Sequence, residues 1–259
     1  MSARRAPEWD ALARECDAWA GAGRPVALWW RDDDAVADTP ALRRLAGIAR
    51  VPLALAVIPA ALDPSLPALL RSHGSISVLQ HGFAHRNRAP AGGKKSEFPA
   101  SRPWPEVAAD LARGRDRLAS AFGDRFVPVL TPPWNRIDAG HAARLPELSY
   151  RGLTAYLART SKAGPRKPGA RFTQVNTHVD VMDWRDTKGF VGLPAAIALL
   201  AGHLGAKRLG RADPGEPTGL LTHHLVHDTE TWEFLGDLQD WCAKRPNIQW
   251  RSAADLFPE

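Results

Sequence analysis

Three carboxylates in a row, Asp32, Asp33 and Asp34, follow the apolar run Val26–Trp30 after the single residue Arg31. Neighbouring carboxylates repel one another unless a cation neutralises them or water solvates them. The C-terminal end of a strand is where α/β barrels place catalytic groups. A second cluster, His81 and His85 in the stretch Gln80-His81-Gly82-Phe83-Ala84-His85, has the spacing that sets two imidazoles one helical turn apart, where both could ligate one zinc. Gly82 stands where the zinc-protease helix carries its glutamate base, so a base must come from elsewhere. An aspartate joined to these two histidines makes a mixed oxygen and nitrogen site with a position left for water.

Three further segments carry chemistry-bearing residues. Thr131-Pro132-Pro133-Trp134-Asn135-Arg136 fixes its backbone with two prolines, and Trp134 offers a flat apolar face of the kind that can cover a sugar ring. His178-Val179-Asp180-Val181-Met182-Asp183-Trp184 alternates like an extended segment with His178, Asp180 and Met182 on one face. Leu220-Leu221-Thr222-His223-His224-Leu225-Val226-His227-Asp228 places a histidine just past an apolar strand. Alternation along that strand sends His223 inward with Leu221 and His224 outward, while His227 and Asp228 open the next helix. His223 is therefore the expected general acid of the three. Taken singly, each cluster also reads as an ordinary acidic turn, surface histidine pair, rigid turn, half-buried strand or helix cap. Six of the nine histidines fall in these segments, which weighs against unrelated coincidences.

The elements that would position these groups are legible as apolar runs of strand length: Val26–Trp30, Leu53–Ile58, Ser75–Leu79, Phe126–Leu130, Gly152–Leu157 and Gly219–Thr222. Between several of them lie amphipathic patterns, Ala41–Ile48, Val107–Phe122 and Thr231–Trp241. Near-continuous apolar strands alternating with such helices predict a parallel α/β sheet covered on both sides, most economically a barrel. Two Pro- and Gly-rich stretches, Arg88–Pro105 and Thr160–Arg171, are long for loops of a compact domain and are expected to border the substrate cleft. The motifs straddle both, so residues 1–259 are read as one domain.

Composition narrows the function classes. The net charge of +6 is dispersed, with no run of five basic residues, which describes a solvated surface and speaks against a nucleic-acid partner. Two cysteines, Cys16 and Cys242, make no disulfide framework. The basic N-terminus has no apolar stretch behind it, and Leu193–Leu204 is too short to cross a bilayer, so a cytoplasmic protein without a membrane partner is expected.

In their order, the five segments resemble the motifs of the polysaccharide deacetylases, the NodB-like carbohydrate esterases, which read roughly T-F-D-D-G, H-(S/T)-x-x-H, R-x-P-x-G, D-x-x-D-W and L-x-L-x-H. Asp180-Val181-Met182-Asp183-Trp184 matches the fourth at every fixed position. The resemblance, which runs over about residues 26–250, implies a distorted (β/α)7 barrel. It implies a hydrolase that removes an acyl group, in the first instance acetyl, from an amide or ester of a sugar or oligosaccharide. It assigns Asp32 as general base, Asp33, His81 and His85 as ligands of a divalent ion such as zinc, and His223 as general acid oriented by Asp183. Pro133, Trp134, Asn135 and Trp184 would line the substrate site. The sequence departs from the family at Arg31, at Asp34 and at Thr131, which stands where an arginine usually orients the base. Arg136 or Arg31 is available to replace that arginine, and Asp33-Asp34 is an alternative frame for the aspartate pair. A silent glycan-binding barrel and a hydrolase of non-carbohydrate amides are the competing functions.

Overall fold

A computed structural model describes residues 7–157 and 172–259. The expected loop at 160–171 lies outside them. Among the described residues nine strands form one sheet: β1 (Val26–Ala35), β2 (Leu53–Val57), β3 (Ile76–His81), β4 (Phe126–Thr131), β5 (Gly152–Leu153), β6 (Thr173–Gln174), β7 (Val179–Asp180), β8 (Thr218–Thr222) and β9 (Ile248–Trp250). The helices are α1 (Glu8–Gly21), α2 (Pro40–Ile48), α3 (Ser65–Leu70), α4 (Trp104–Phe122), α5 (Ala139–Ala143), α6 (Leu193–Arg208), α7 (Thr229–Ala243) and α8 (Ala253–Leu256). The strand order is β6-β5-β4-β3-β2-β1-β8-β7, with β9 on the first residues of β1, and every pairing is parallel. The sheet curls into the distorted barrel that the motif resemblance implies, with β1 between β2 and β8.

Alternation along β1 divides two cores. Val26, Leu28 and Trp30 face the helix layer, where they pack with Leu42 and Leu45 of α2, Leu200 and Leu204 of α6, and Leu235 and Leu238 of α7. Trp29 faces the barrel interior with Ala54, Ala56, Leu79, Val127, Val129 and Val175. Phe257, fully buried just after α8, closes that interior against Trp29, their rings edge-on at 6.4 Å. Gly152 and Gly219 permit this packing, because a Cβ at either would lie 2.4 Å from the Phe257 or Trp29 ring.

The helix signals have identifiable causes. Thr39 caps α2 by accepting from the Leu42 N–H, with Pro40 in the first turn. Asp228 caps α7 by accepting from the Thr231 N–H. In α4 the buried positions Val107, Leu111, Gly114, Leu118 and Phe122 follow the three-and-four spacing of one helical face. Helix α1, with Trp9, Leu12, Cys16 and Trp19 buried at the same spacing, was not among the expected elements. Among the described residues no helix is long and apolar enough to cross a membrane.

Candidate metal centre and active site

The site is built at the C-terminal ends of β1, β3, β4, β7 and β8. Strand alternation points Arg31 and Asp33 into the barrel and Asp32 outward. The next residue breaks the pattern. The register of β1 on β2 slips between Asp32 and Ala35, and Asp34 takes a left-handed backbone with φ 74°. A bulge of this kind re-aims a side chain. Here it turns Asp34 onto the two histidines.

Asp34 Oδ1 lies 3.0 Å from His81 Nε2 and 3.4 Å from His85 Nε2. The three donor atoms fall within 4.8 Å of one another. Asp34 Oδ1 is buried and accepts no aligned hydrogen bond. His81 Nδ1 is 3.0 Å from the Thr131 carbonyl, which can only accept, so in the neutral imidazole Nδ1 carries the proton and Nε2 offers its lone pair to the cluster. Burial opposes charge at both partners. At Asp34 the adjacent His81 outweighs that penalty and holds the carboxyl well below the usual range, helped by His223 and His85. At His81 the carboxylates of Asp34 and Asp33 outweigh burial and push the imidazole up. His85 is pushed down by burial and by the charge of His81. A buried, orphaned carboxylate oxygen facing two imidazole nitrogens fits a divalent cation.

The histidine spacing arises differently from the helical expectation. His81 is the last residue of β3, and His85 sits in a turn with φ 53°. Glu97 shapes that turn. It is 1% exposed, and its carboxylate accepts from Phe83 N at 3.1 Å and Ala84 N at 2.8 Å. Gly82 makes room for it: at φ 56°, a Cβ there would stand 2.1 Å from Glu97 Oε2 and 2.6 Å from Pro133 Cγ. The loop after β3 thus folds back beneath His85. Glu97 left no trace in the sequence, since it lies among prolines, glycines and lysines without a motif.

Asp33 is placed apart from the ligand cluster. Arg31, fully buried, donates from Nε to Asp33 Oδ1 at 2.8 Å and from Nη2 to Oδ2 at 3.0 Å. The rest of the guanidinium is satisfied by Thr154 Oγ1 at 2.8 Å, the Ala155 carbonyl at 3.2 Å and Asn135 Oδ1 at 2.7 Å. The structure therefore brings Asp34, and not Asp33, to His81 and His85, because Asp33 is committed to the arginine. Of the two candidate arginines it is Arg31 that meets an aspartate of the triplet, whereas Arg136 is exposed and donates to the Lys95 carbonyl at 3.2 Å. Left-handed residues at Trp134 (φ 55°) and Asn135 (φ 56°) carry the chain outward before Arg136.

His223 Nε2 stands 4.0 Å from Asp33 Oδ2, and its ring lies edge-on to Trp184 at 4.7 Å. Asp183 is not beside it. Its carboxylate closes its own turn, accepting from Arg185 N at 3.0 Å and Asp186 N at 3.2 Å. Asp180, three residues earlier, takes the inner place. It accepts from Trp184 Nε1 at 2.8 Å, and burial pushes its carboxyl up, partly offset by His223. Asp32 points away from the Asp34, His81 and His85 cluster: it is fully buried and bonded to His224 Nδ1, Thr222 Oγ1 and the His224 backbone N–H.

Of the residues expected to meet substrate, Trp184 is 46% exposed and Trp134 packs its ring 4.5 Å from His85. Pro133 is buried beneath Gly82, and Asn135 spends its carbonyl oxygen on Arg31. Four non-glycine residues with positive φ, Asp34, His85, Trp134 and Asn135, gather around one cluster. Such strain persists where the surroundings over-determine it, and it concentrates at functional sites.

No protein-family model and no curated protein matches the chain. Solved structures do. A Streptococcus mutans CE4 esterase matches at TM-score 0.58 and 11% identity, covering 95% of this chain and 90% of its own. The chitin deacetylase of the fungal pathogen Colletotrichum lindemuthianum matches at TM-score 0.55 and 15% identity, covering 91% and 89%. The 4-alpha-glucanotransferase of Thermococcus litoralis matches at TM-score 0.58 and 11% identity, over 90% of this chain and 40% of its own. The chain has the fold of the family 4 carbohydrate esterases, as the ordered motifs implied. Because a glucanotransferase shares that fold at the same TM-score, the activity must be argued from the site.

Proposed function

We propose that this protein is a divalent-metal-dependent hydrolase that removes an acyl group, in the first instance acetyl, from an amide or ester of a sugar or related small molecule. One observation carries the reading: an Asp34, His81 and His85 cluster with an orphaned carboxylate oxygen, beside an arginine-held Asp33 that faces His223. Structural neighbours named as deacetylases and esterases support it. Two imidazole nitrogens and one carboxylate oxygen suit zinc.

When bound, such an ion polarises the acyl carbonyl and acidifies water. Asp34, His81 and His85 hold it. Asp33 is the general base in this reading. Arg31 fixes the direction of both its oxygens, each of which keeps a second lone pair, and one of these takes the proton of the attacking water. His223 then gives a proton to the leaving nitrogen or oxygen as the bond from the acyl carbon breaks. Trp134, beside His85, and Trp184, beside His223, supply apolar faces for a sugar ring.

The test combines metal titration with hydrolysis of an activated acetyl ester and an N-acetylated chito-oligosaccharide. The expected result is about one zinc per chain and turnover that a chelator removes and zinc restores. Stoichiometric zinc with no hydrolysis of either substrate or of other acyl amides would make the protein a silent binding barrel.

A further inference from the structure

The triplet at the end of β1 sends one carboxylate away from the cleft, and that carboxylate is tied to both neighbours of the proposed acid. Asp32 Oδ2 accepts from Thr222 Oγ1 at 2.6 Å and from the His224 backbone N–H at 3.0 Å. Asp32 Oδ1 meets His224 Nδ1 at 2.5 Å. Asp32 and Thr222 are paired positions of β1 and β8, and Trp30 Nε1 reinforces the join by donating to Thr222 Oγ1 at 2.8 Å. His223 lies between these two tethered residues. Its own backbone is held from the other side, its N–H donating to His227 Nε2 at 3.3 Å and its carbonyl accepting from Val226 N at 3.0 Å.

With Asp32 fully buried and Oδ2 doubly engaged, the carboxylate has no exposed face from which to take a proton from water. The buried His224, 1% exposed, is likewise shut off from substrate. A pair so placed can act on the reaction only through the residue between its anchors. We infer that Asp32 and His224 are positioning residues for the general acid: they clamp the β8 end so that the His223 ring faces Asp33 and the leaving group. The inference rests on the proposed hydrolase function for its kinetic consequence, and on geometry alone for the clamp. A misplacement of about 1 Å at a catalytic group typically costs roughly 100-fold in rate.

The experiment compares wild type with Asp32→Asn, His224→Ala, His224→Asn and the Asp32→Asn/His224→Asn pair, all loaded with zinc. Each is measured on an amide and on an activated acetyl ester, beside its zinc affinity, melting temperature and the imidazole NMR signals of its histidines. Asp32→Asn should lose roughly 100-fold in kcat on the amide and far less on the ester, whose leaving group needs no proton, with zinc affinity unchanged. His224→Asn, which keeps an N–H near the Nδ1 position, should recover part of what His224→Ala loses. The double variant should lose no more than the worse single one, because the residues act as a unit. In Asp32→Asn the His223 signals should move while those of His81 and His85 stay. Equal losses on amide and ester would make Asp32 the base and overturn the inference. A lower melting temperature with an unchanged amide-to-ester ratio would make the pair structural only. If wild type cleaves neither substrate, the hydrolase reading fails by itself, and an unmoved His223 signal would still refute the clamp.

Discussion

Arg31 and Asp33 form a two-point ion pair within one strand, two residues apart, with side chains 0% and 2% exposed. Alternation makes this possible: residues i and i+2 share a face, so an arginine can reach past the intervening Asp32 without leaving its own strand. Thr131, at the end of β4, stands where related motifs carry an arginine, and in the proposed function Arg31 takes that part from the strand that bears Asp33.

Removing that arginine should cost both stability and rate. A buried carboxylate stripped of its partner typically costs about 3–5 kcal/mol. Arg31→Met should therefore unfold at markedly lower urea concentration, whereas Arg31→Lys, which keeps the charge and loses the fork, should fold and bind zinc but turn over slowly on amide and ester alike. Urea midpoints with kinetics on both substrates check this. Arg31→Met with wild-type stability would show that the pair contributes nothing net.

Glu97 should govern metal affinity from outside the ligand set. Its two hydrogen bonds hold the turn that delivers His85. Outer partners of metal ligands typically contribute roughly 10–100-fold in affinity. Glu97→Gln, which turns an acceptor into a donor facing a backbone N–H, should weaken zinc by that order, while Glu106→Gln on the exposed start of α4 should not. Competition titration against a zinc-binding dye measures the difference. Equal affinities for the two variants would remove Glu97 from the site.

How far the sequence carries depends on what sets each feature. The strands β1 to β4 and β8 were legible because apolar runs long enough to bury on both faces announce themselves. The runs Gly152–Leu157 and His178–Trp184 were also legible, although only two residues of each pair as β5 and β7, whereas β6 and β9 were not, since two or three residues of pairing leave no period. The D-x-x-D-W match pointed at Asp183, yet an aspartate that accepts from the next backbone N–H groups closes a turn just as well, and Asp180 faces the site instead. The aspartate frame was open in the sequence because a bulge changes no residue type. In the structure φ at Asp34 turns that residue onto the histidines, and Arg31 occupies Asp33. The outward face of His224 and the inward face of His223 followed from simple alternation past β8.

Acid sensitivity should begin near neutrality, from a cluster beside Thr218, the first residue of β8. His203 of α6 stacks on His178 at 3.6 Å and bonds Thr218 through Nδ1. Burial, with the nearby charges of His178 and Lys207, pushes its imidazole down to about 2. A histidine whose folded pKa lies below its unfolded one binds its proton more readily unfolded. Its stabilising contribution is therefore complete above the ordinary value of about 6.5 and is lost as pH falls toward 2. The slope from this one group is at most about 1.4 kcal/mol per pH unit. Urea denaturation from pH 7.5 to 4.5 should show stability falling with acid, and His203→Gln should flatten the profile in that range. An unchanged slope would place the titrating group elsewhere.

The division of labour between Asp33 and Asp34 gives the sharpest test of the site. Asp34 faces His81 and His85, whereas Asp33 faces Arg31 and His223. A ligand must lose coordination to matter, and a base must lose its charge. Asp34→Asn should therefore release zinc by more than the roughly 10–100-fold of a lost outer partner, as His81→Ala and His85→Ala should. Asp33→Asn should keep zinc at wild-type affinity and lose turnover on both amide and ester, since the base is needed whichever group leaves. Here the loss is in kcat, by the roughly 100- to 10,000-fold typical of general base catalysis. Its equal action on both substrates separates Asp33→Asn from Asp32→Asn, whose loss depends on the leaving group. Zinc titration and paired kinetics on the three single-aspartate variants decide it. If Asp33→Asn releases the metal and Asp34→Asn does not, the frame is one residue earlier and the ligand set is Asp33, His81 and His85.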